Sequence, residues 1–343
     1  MRVEILTAAP ADWDAYVSRH ERGTAYHRAA AVAIGAHAFR LRTTHVVARD
    51  GEGAIIGVLP LVEQSSLLFG RFLVSLPFVT YGGVLADDVM VAAALAERAG
   101  ALARARHADH VELRHVAPLP AEGFLERRDK VSMVLDLPSS EDELSRQLGA
   151  KLRSQIRRAE RESLELVWGG KECLGDFHRV FAVTMHEVGT PVYSRQFFDV
   201  AYDALRDFTA VLTVRMRGVV HAAAILVRHG TTIEVPWAAA SPEAKRASVN
   251  MRMYWELLRH SVAAGATAFD FGRSTVDSGT YRFKAQWGAK PRQLHWHYWL
   301  PAGAPIPALN QSNPKYARAA ALWRRMPLWC ANALGPHIVR HLP

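Results

Sequence analysis

The feature that most constrains this chain is an order of elements that occurs twice along it. Each half reads as a β-hairpin, a further strand, a helix and a closing strand. In the first half the hairpin is predicted at residues 44–49 and 54–62, around an acidic turn rich in glycine. Asp87 or Asp88 then caps an alanine-rich helix, which leads into a strand at residues 111–114.

The second half repeats this order with different residues. A hairpin is predicted at residues 211–215 and 220–227, and a strand follows at residues 232–238. Ser248 or Asn250 opens a helix that ends at Gly265, where glycine easily adopts the left-handed cap. The closing strand of this half is expected at residues 268–271, and a further strand follows at residues 294–300. Two matching halves predict a duplication, with a mixed sheet and flanking helices in each copy and an α+β fold class.

The segment that joins the halves is strongly basic. Residues 140–162 are predicted to form one inter-domain helix, opened by a capping box of Ser140 and Glu143. Leucine and isoleucine recur at helical spacing on one side of it. The other side carries basic residues with few acidic partners: Arg146, Lys151, Arg153, Arg157, Arg158 and Arg161. This side is either a solvated helix face or a binding site for an anion, and we expect Arg153 and Arg157 to contact phosphate.

Length and composition agree with two soluble domains. The chain has 343 residues and a net charge of +9, which favours an anionic partner. Cys173 and Cys330 form no CxxC pair, and the N-terminus resembles no signal peptide, so a cytoplasmic protein is expected. We predict an N-terminal domain at 1–139, the basic helix at 140–162, a C-terminal domain at 163–300, and a linker with a helical tail at 301–343.

The tail admits two interpretations. Residues 301–314 are rich in proline and alanine and predict a linker. The following residues mix tryptophan and leucine with lysine and arginine, and Pro327 interrupts them. They form either a packing tail or a peripheral contact with the inner membrane.

No familiar nucleotide or metal motif occurs, and no metal site is predicted. One segment just past a predicted strand is dense in polar residues, and strand ends are where sites gather. It contains Asp270, Arg273, Ser274, Asp277, Ser278, Tyr281 and Lys284. A lysine and an arginine there can stabilise an oxyanion during acyl transfer. The alternative is a salt-bridged surface loop.

Three motifs resemble the FemAB-like proteins, and in particular the branch associated with exosortase/PEP-CTERM exopolysaccharide systems. They are residues 153–159 (RSQIRRA), 269–274 (FDFGRS) and 279–288 (GTYRFKAQWG). The resemblance extends over nearly the whole chain. It implies two tandem GNAT-like domains and transfer of an amino acid from aminoacyl-tRNA to an amine, without a metal or a covalent intermediate.

The resemblance also implies roles for single residues. Lys284 and Phe283 match the Phe-Lys motif that serves the transfer step, and Asp270 and Arg273 join them as catalytic candidates. Arg195 is the candidate contact to a nucleotide-linked acceptor, and Trp237 occupies the strand that carries an aromatic substrate contact. Further candidates for substrate contacts are Tyr81, Gly82 and Tyr281.

We therefore expect an acyltransferase that modifies an amine on an envelope or exopolysaccharide precursor, with an anionic or lipid-linked saccharide as acceptor. No tightly bound cofactor is predicted. The co-substrate is aminoacyl-tRNA or acyl-CoA, and residues 244–249 lack the glycine-rich pyrophosphate loop of acetyl-CoA enzymes. The alternatives are an acyl-CoA or acyl-carrier enzyme of the same fold and a non-catalytic binding module. The oligomeric state and any site of the first domain stay open.

Overall fold

A computed structural model describes residues 1–66, 70–307 and 314–342 of the chain. Part of the linker predicted at 301–314 therefore lies outside the described residues. The chain divides into two compact units. The first comprises residues 1–131, 293–308 and 340–343, and the second comprises residues 132–292 and 309–339.

The first part of the chain alternates short helices with strands. Its elements are β1 (Arg2–Leu6), α1 (Trp13–Arg19), α2 (Ala29–Val32), α3 (Ile34–Phe39), β2 (Arg42–Arg49), β3 (Ile55–Ser66), β4 (Gly70–Val74), β5 (Leu85–Ala86), α4 (Val89–Ala105), β6 (His110–His115) and β7 (Phe124–Arg127). As predicted, Asp88 caps α4, because its carboxylate accepts a hydrogen bond from the Val91 amide at 2.8 Å.

The second part begins with β8 (Lys130–Asp136), α5 (Glu141–Gln147), α6 (Ala150–Ala159), β9 (Leu164–Gly169), α7 (Leu174–Val188) and α8 (Arg195–Leu205). It continues with β10 (Thr209–Met216), β11 (Val219–His229), β12 (Thr232–Ala240), α9 (Pro242–Arg246), α10 (Val249–Ala263), β13 (Ala268–Thr275), α11 (Gly279–Ala285), β14 (Lys290–Gln293), β15 (His295–Trp299), α12 (Pro314–Arg325) and α13 (Leu328–Val339).

The predicted duplication is confirmed by the topology of two mixed sheets. Within the described residues the first sheet has the order β1-β2-β3-β4-β6-β15-β7, with β5 beside β3, and the second has the order β14-β8-β13-β12-β11-β10-β9. In each, an antiparallel hairpin leads to a strand that a helix connects to a parallel neighbour. The parallel pairs are β4 with β6 and β12 with β13.

Two strands lie in a different sheet from the one that a simple tandem arrangement predicts. The further strand expected at residues 294–300 of the second half is β15, and it pairs with β6 and β7 in the first sheet. Conversely, β8 lies between β14 and β13 in the second sheet. The apolar alternation of a strand reports that one face is buried, but it carries no information about which sheet the strand joins.

The joining segment is two helices, not the single helix predicted for 140–162. Ser140 caps the first, since its hydroxyl accepts from the Glu143 amide at 3.3 Å. The chain then leaves the helical region at Leu148 (ψ 134°) and at Gly149 (ψ 154°), which precedes α6. Glycine is unfavourable inside a helix, and burial of Leu148 accompanies the break.

Helices cover both faces of the second sheet. Consecutive residues from Ala222 to Val227 of β11 are buried, which requires apolar cover on both sides. Both α7 and α10 pack against β11 and β12, and α6 packs against α10. The basic helix is thereby held by Leu152, Ile156 and Ala159, the buried residues of its inner face.

Candidate functional site

The parallel pair β12 and β13 is joined only at its beginning. The register runs from Thr232 opposite Ala268 to Glu234 opposite Asp270. Beyond that point β12 continues to Ala240 and β13 to Thr275, and the described residues show no further pairing between them. The carboxyl ends of parallel strands are common ligand sites because the backbone groups and side chains of both strands reach the same edge.

Lys284 lies at this end of β13. Its ammonium donates to the carbonyl oxygens of Gly272 and Arg273 at 2.8 and 2.9 Å. Consecutive carbonyls of a regular strand point to opposite sides, but Gly272 has a φ of 76°, which turns the backbone so that both reach one cation. These two bonds fix the ammonium, and its third N–H has no partner among the described residues.

Two carboxylates lie beneath Lys284 on the paired part of the strands. Glu234 and Asp270 are direct neighbours across β12 and β13, and both are buried. Asp270 accepts from the Ser132 hydroxyl at 2.5 Å and from the Gly272 amide at 2.7 Å. Glu234 lies 3.0 Å from Nε2 of His229. Four strands (β8, β11, β12 and β13) and the helix α11 meet here and bury two acids and one lysine together.

Burial shifts the protonation of both charge types towards neutrality. Burial raises the pKa of Asp270 to about 6, and the neighbouring charge of Glu234 adds to the shift. Burial lowers the pKa of Lys284 to about 8, although Asp270 and Glu234 both oppose that shift. A buried lysine with two acids beside it and perturbed protonation is a candidate functional group.

Aromatic side chains surround the helix that carries Lys284. The Tyr254 ring lies 5.0 Å from Phe283 and 5.7 Å from Phe271, measured between ring centroids. Phe283 therefore packs beside the site, whereas Arg273 and Tyr281 are more accessible, with Arg273 exposed and Tyr281 half-buried. Lys284, Arg273, Asp270, Phe283 and Tyr281 are thus brought together on β13 and α11, as the sequence motif predicts.

Trp237 and Arg195 lie at a different place in the second unit. Trp237 is only 7% exposed and meets Phe197 and Phe198 of α8 edge to face, at 5.7 and 5.5 Å. Arg195 begins α8 and pairs with Asp199 at 3.1 Å. The structure thus places Trp237 in the apolar core under α8, and Arg195 on the same helix.

Arg153 and Arg157 lie on the exposed side of α6. Lys151 and Arg158 of α6 and Arg161, just after its end, are also exposed, and no carboxylate of the described chain forms an ion pair with any of the five. The nearby acids Glu160 and Glu162 instead contact Arg252 and Arg217. These five residues, which we call the basic face of α6, therefore carry exposed positive charge without carboxylate partners among the described residues.

Tyr81 and Gly82 belong to the first unit, where they hold its own backbone together. Tyr81 is 8% exposed and packs on Tyr26, and the Gly82 amide donates to the carbonyl of Arg114. Residues 75–84 lie along β6 just past the end of its pairing with β4. The Arg114 guanidinium bonds the carbonyls of Leu76 and Val79, so the chain itself occupies this end of the first parallel pair.

Sequence reasoning missed Glu234, His229 and Ser132. Glu234 was detectable, because it is a lone carboxylate within an apolar strand, and buried acids need partners. Ser132 and His229 carry no such local signal, since they reach the site only through strand pairing. Another buried hydroxyl, Ser274, has no hydrogen-bond partner among the described residues.

The N-terminus of α10 follows the segment without a glycine-rich loop. Ser248 adopts a left-handed conformation with φ of 63° directly before the helix, and its side chain caps nothing. Within the described ranges, no three His, Cys, Asp or Glu side chains are grouped closely enough to hold a metal. No helix in those ranges is both long and apolar enough to cross a bilayer.

Comparison with protein families matches residues 147–285 to the acetyltransferase (GNAT) domain, which is less than half of the chain. A search of curated proteins finds no match. The matched segment contains α6, the β12–β13 pair and Lys284. The second unit therefore contains the segment that is similar to an acyltransferase domain.

Solved structures extend the likeness over both units. A FemX crystal structure is 15% identical with a TM-score of 0.66, and the alignment covers 87% of this chain and 97% of that one. L-PGS from Bacillus licheniformis is 12% identical with a TM-score of 0.58, covering 93% and 98%. A tandem GNAT protein from the clavulanic acid biosynthesis pathway is 15% identical with a TM-score of 0.54, covering 89% and 100%. At these identities the likeness concerns the fold, and the predicted pair of tandem GNAT-like domains is confirmed.

Proposed function

We propose that this chain, which has a GNAT-type acyltransferase fold, transfers an aminoacyl group from aminoacyl-tRNA to an amine on an anionic envelope or exopolysaccharide precursor. The observation that carries the proposal is the oriented ammonium of Lys284 at the open end of β12 and β13. The exosortase-associated context and a cytoplasmic location, at or near the inner membrane, belong to the same proposal.

The chemistry assigned to this end is attack of the acceptor amine on the ester carbonyl. A bond forms between nitrogen and carbon, and the carbonyl oxygen becomes an oxyanion. The third N–H of Lys284 donates to that oxygen, with the exposed guanidinium of Arg273 nearby. The intermediate collapses when the bond between the acyl carbon and the tRNA ribose oxygen breaks, and that oxygen takes up the proton that the amine loses. Asp270 and Glu234 keep the ammonium charged.

The first unit contributes no second transfer site under this proposal. Residues 75–84 occupy the end of its parallel pair, and Arg114 already bonds their carbonyls. Tyr81 and Gly82 then serve the fold of that unit. Trp237 and Arg195 remain candidates for acceptor contacts.

The donor assignment rests on charge and on the N-terminus of α10. The basic face of α6 carries five exposed cations without carboxylate partners, which suits a polyanion such as tRNA. The segment before α10 lacks the glycines that would let its amides approach a pyrophosphate. Acyl-CoA is the second candidate donor because GNAT domain similarity favours it.

Transfer is expected to be lost after RNase treatment of a mixture of charged total tRNA, acyl-CoA and an amine-bearing nucleotide-sugar extract. Product is measured by mass spectrometry.

The double variant Arg157→Gln/Arg158→Gln should raise the apparent KM for charged tRNA by roughly tenfold and flatten its salt dependence, because two phosphate contacts are lost. The matched control Arg179→Gln/Arg206→Gln removes two exposed, ion-paired charges and should leave this KM unchanged.

Transfer that survives RNase but requires a thioester would assign the acyl-CoA class instead. Salt-sensitive binding of RNA without any transfer product would make the protein a binding module. If both double variants raised the KM for charged tRNA equally, α6 would not be the surface that binds tRNA.

The pH dependence of transfer should identify the protonated form of Lys284 as the active one. Its pKa of about 8 predicts that kcat falls as the pH rises through 8. Asp270→Asn removes a charge that raises this pKa, so the fall of kcat should occur at lower pH in this variant. Ser132→Ala is the control, because it removes a hydrogen bond to Asp270 and leaves the carboxylate in place. If kcat of Asp270→Asn fell at the same pH as kcat of the unchanged protein, or if activity rose through pH 8, Lys284 would not act as a cationic donor.

A further inference from the structure

The two C-terminal helices expose apolar residues on one side while their other side is packed. Leu322 is 68% exposed and Trp329 is 73% exposed, whereas Trp323 between them in the chain is 8% exposed. Both α12 and α13 pack against α7. The exposure of Leu322 and Trp329 is therefore a property of a docked helix pair, not of a loose end.

The connection between α12 and α13 is fixed to the second unit. Nε2 of His186 lies 2.8 Å from the carbonyl oxygen of Met326, directly before Pro327. Farther along α13, a Cβ at Gly335 would lie 2.9 Å from the backbone of Val192, so the helix backbone approaches closely there. These contacts hold residues 322–329 in a defined position; we refer to this segment as the helix-pair tip.

The charge of this region is of one sign. Residues 314–343 contain five lysines and arginines and no aspartate or glutamate. Arg324 and Arg325 of the helix-pair tip are exposed and form no ion pair with the described residues. An exposed tryptophan and leucine beside unpaired arginines match the requirements of an anionic bilayer surface, where rings enter the interface and guanidinium groups meet lipid phosphates.

We propose that the helix-pair tip is a peripheral membrane anchor for bilayers that contain anionic lipids. Trp329 and Leu322 enter the boundary between headgroups and acyl chains, and Arg324 and Arg325 bind lipid phosphates. The basic face of α6 differs, because its exposed residues are all charged or polar and offer no apolar group for insertion. The anchor does not depend on which acyl donor the enzyme uses.

The test is co-sedimentation of the full chain with vesicles of phosphatidylcholine alone and of phosphatidylcholine with phosphatidylglycerol at three to one. Binding is expected with the anionic vesicles and is expected to fall at high salt. Leu322→Ser/Trp329→Ser and, separately, Arg324→Gln/Arg325→Gln should each weaken it by roughly tenfold or more. The controls are Leu125→Ser/Val219→Ser, which replaces two other exposed apolar residues, and Arg179→Gln/Arg206→Gln, which removes equal charge.

Circular dichroism checks that the variants fold, and transfer activity on a water-soluble acceptor should be unchanged in the tip variants. Equal loss of binding in the controls, or equal binding to both vesicle types, would overturn the proposal. A dimer that depends on the helix-pair tip, without vesicle binding, would assign this face to a second copy of the chain. RNA binding lost in the tip variants, again without vesicle binding, would equally overturn it.

Discussion

Lys284→Ala is expected to lower kcat by about 10²–10³-fold while the acceptor KM changes by less than about threefold. In the proposed mechanism, the Lys284 ammonium contacts the carbonyl oxygen of the donor only when that oxygen carries the charge of the tetrahedral intermediate. A donor that acts only there lowers the barrier to transfer and leaves ground-state binding of the acceptor unchanged. Two carbonyl bonds already hold the group in place, so little ordering is needed at the moment of reaction.

Steady-state kinetics with a saturating donor measure kcat and the acceptor KM separately. Lys284→Met keeps most of the buried volume and should show the same loss, so a failure of the alanine variant to fold would not hide the result. Lys290→Ala, a change at an exposed lysine on β14, is the matched control and should behave as the unchanged protein. Equal losses in kcat and in acceptor affinity would exclude the assigned role.

Trp237→Ala is expected to destabilise the second unit by about 3–5 kcal/mol, which is the usual cost of truncating a buried tryptophan. The indole is 7% exposed and its edges meet two phenylalanine rings of α8. It also borders a small cavity lined by Tyr202, Leu205 and Ile225, among others, so truncation of Trp237 would enlarge an existing void. Urea unfolding measures the change in free energy.

A conservative change separates packing from substrate contact. Trp237→Phe should lose less than half as much stability, because the aromatic contacts with Phe197 and Phe198 are partly kept. The resemblance assigns Trp237 a substrate contact instead. That role would be supported, and the packing role contradicted, if Trp237→Ala unfolded like the unchanged protein but bound the acceptor at least tenfold more weakly.

Some residues of the candidate site could be predicted from the sequence to lie together, and others could not. Asp270, Arg273, Tyr281, Phe283 and Lys284 are close in sequence, so a strand followed by a short helix brings them together by local geometry. Arg195 and Trp237 came from resemblance alone, and the structure places them on α8 and beneath it. Their roles remain predictions, as do those of Arg153 and Arg157.

Glu234 and Ser132, the two neighbours of Asp270 in the site, come from segments distant in sequence. Glu234 reaches Asp270 through the register of a parallel pair, and Ser132 reaches it from β8, more than a hundred residues earlier. Nothing in the local sequence of β8 distinguishes a strand of the first sheet from a strand of the second. The helix break at Leu148 and Gly149 was also missed, because the apolar spacing continues across it.

The sequence alone determined the repeated order of hairpin, strand, helix and strand, the cap at Ser140, a cap at Asp87 or Asp88, and the basic residues of α6. These depend on short-range hydrogen bonds and on which residues avoid water, and both are encoded within one or two turns of chain. The tertiary structure alone decided that β8 and β15 join sheets in the opposite half, and that Lys284 bonds two carbonyls above a buried acid pair. Strand partners and the protonation of buried groups depend on neighbours distant in sequence, because pairing energy and desolvation arise only once the segments have met.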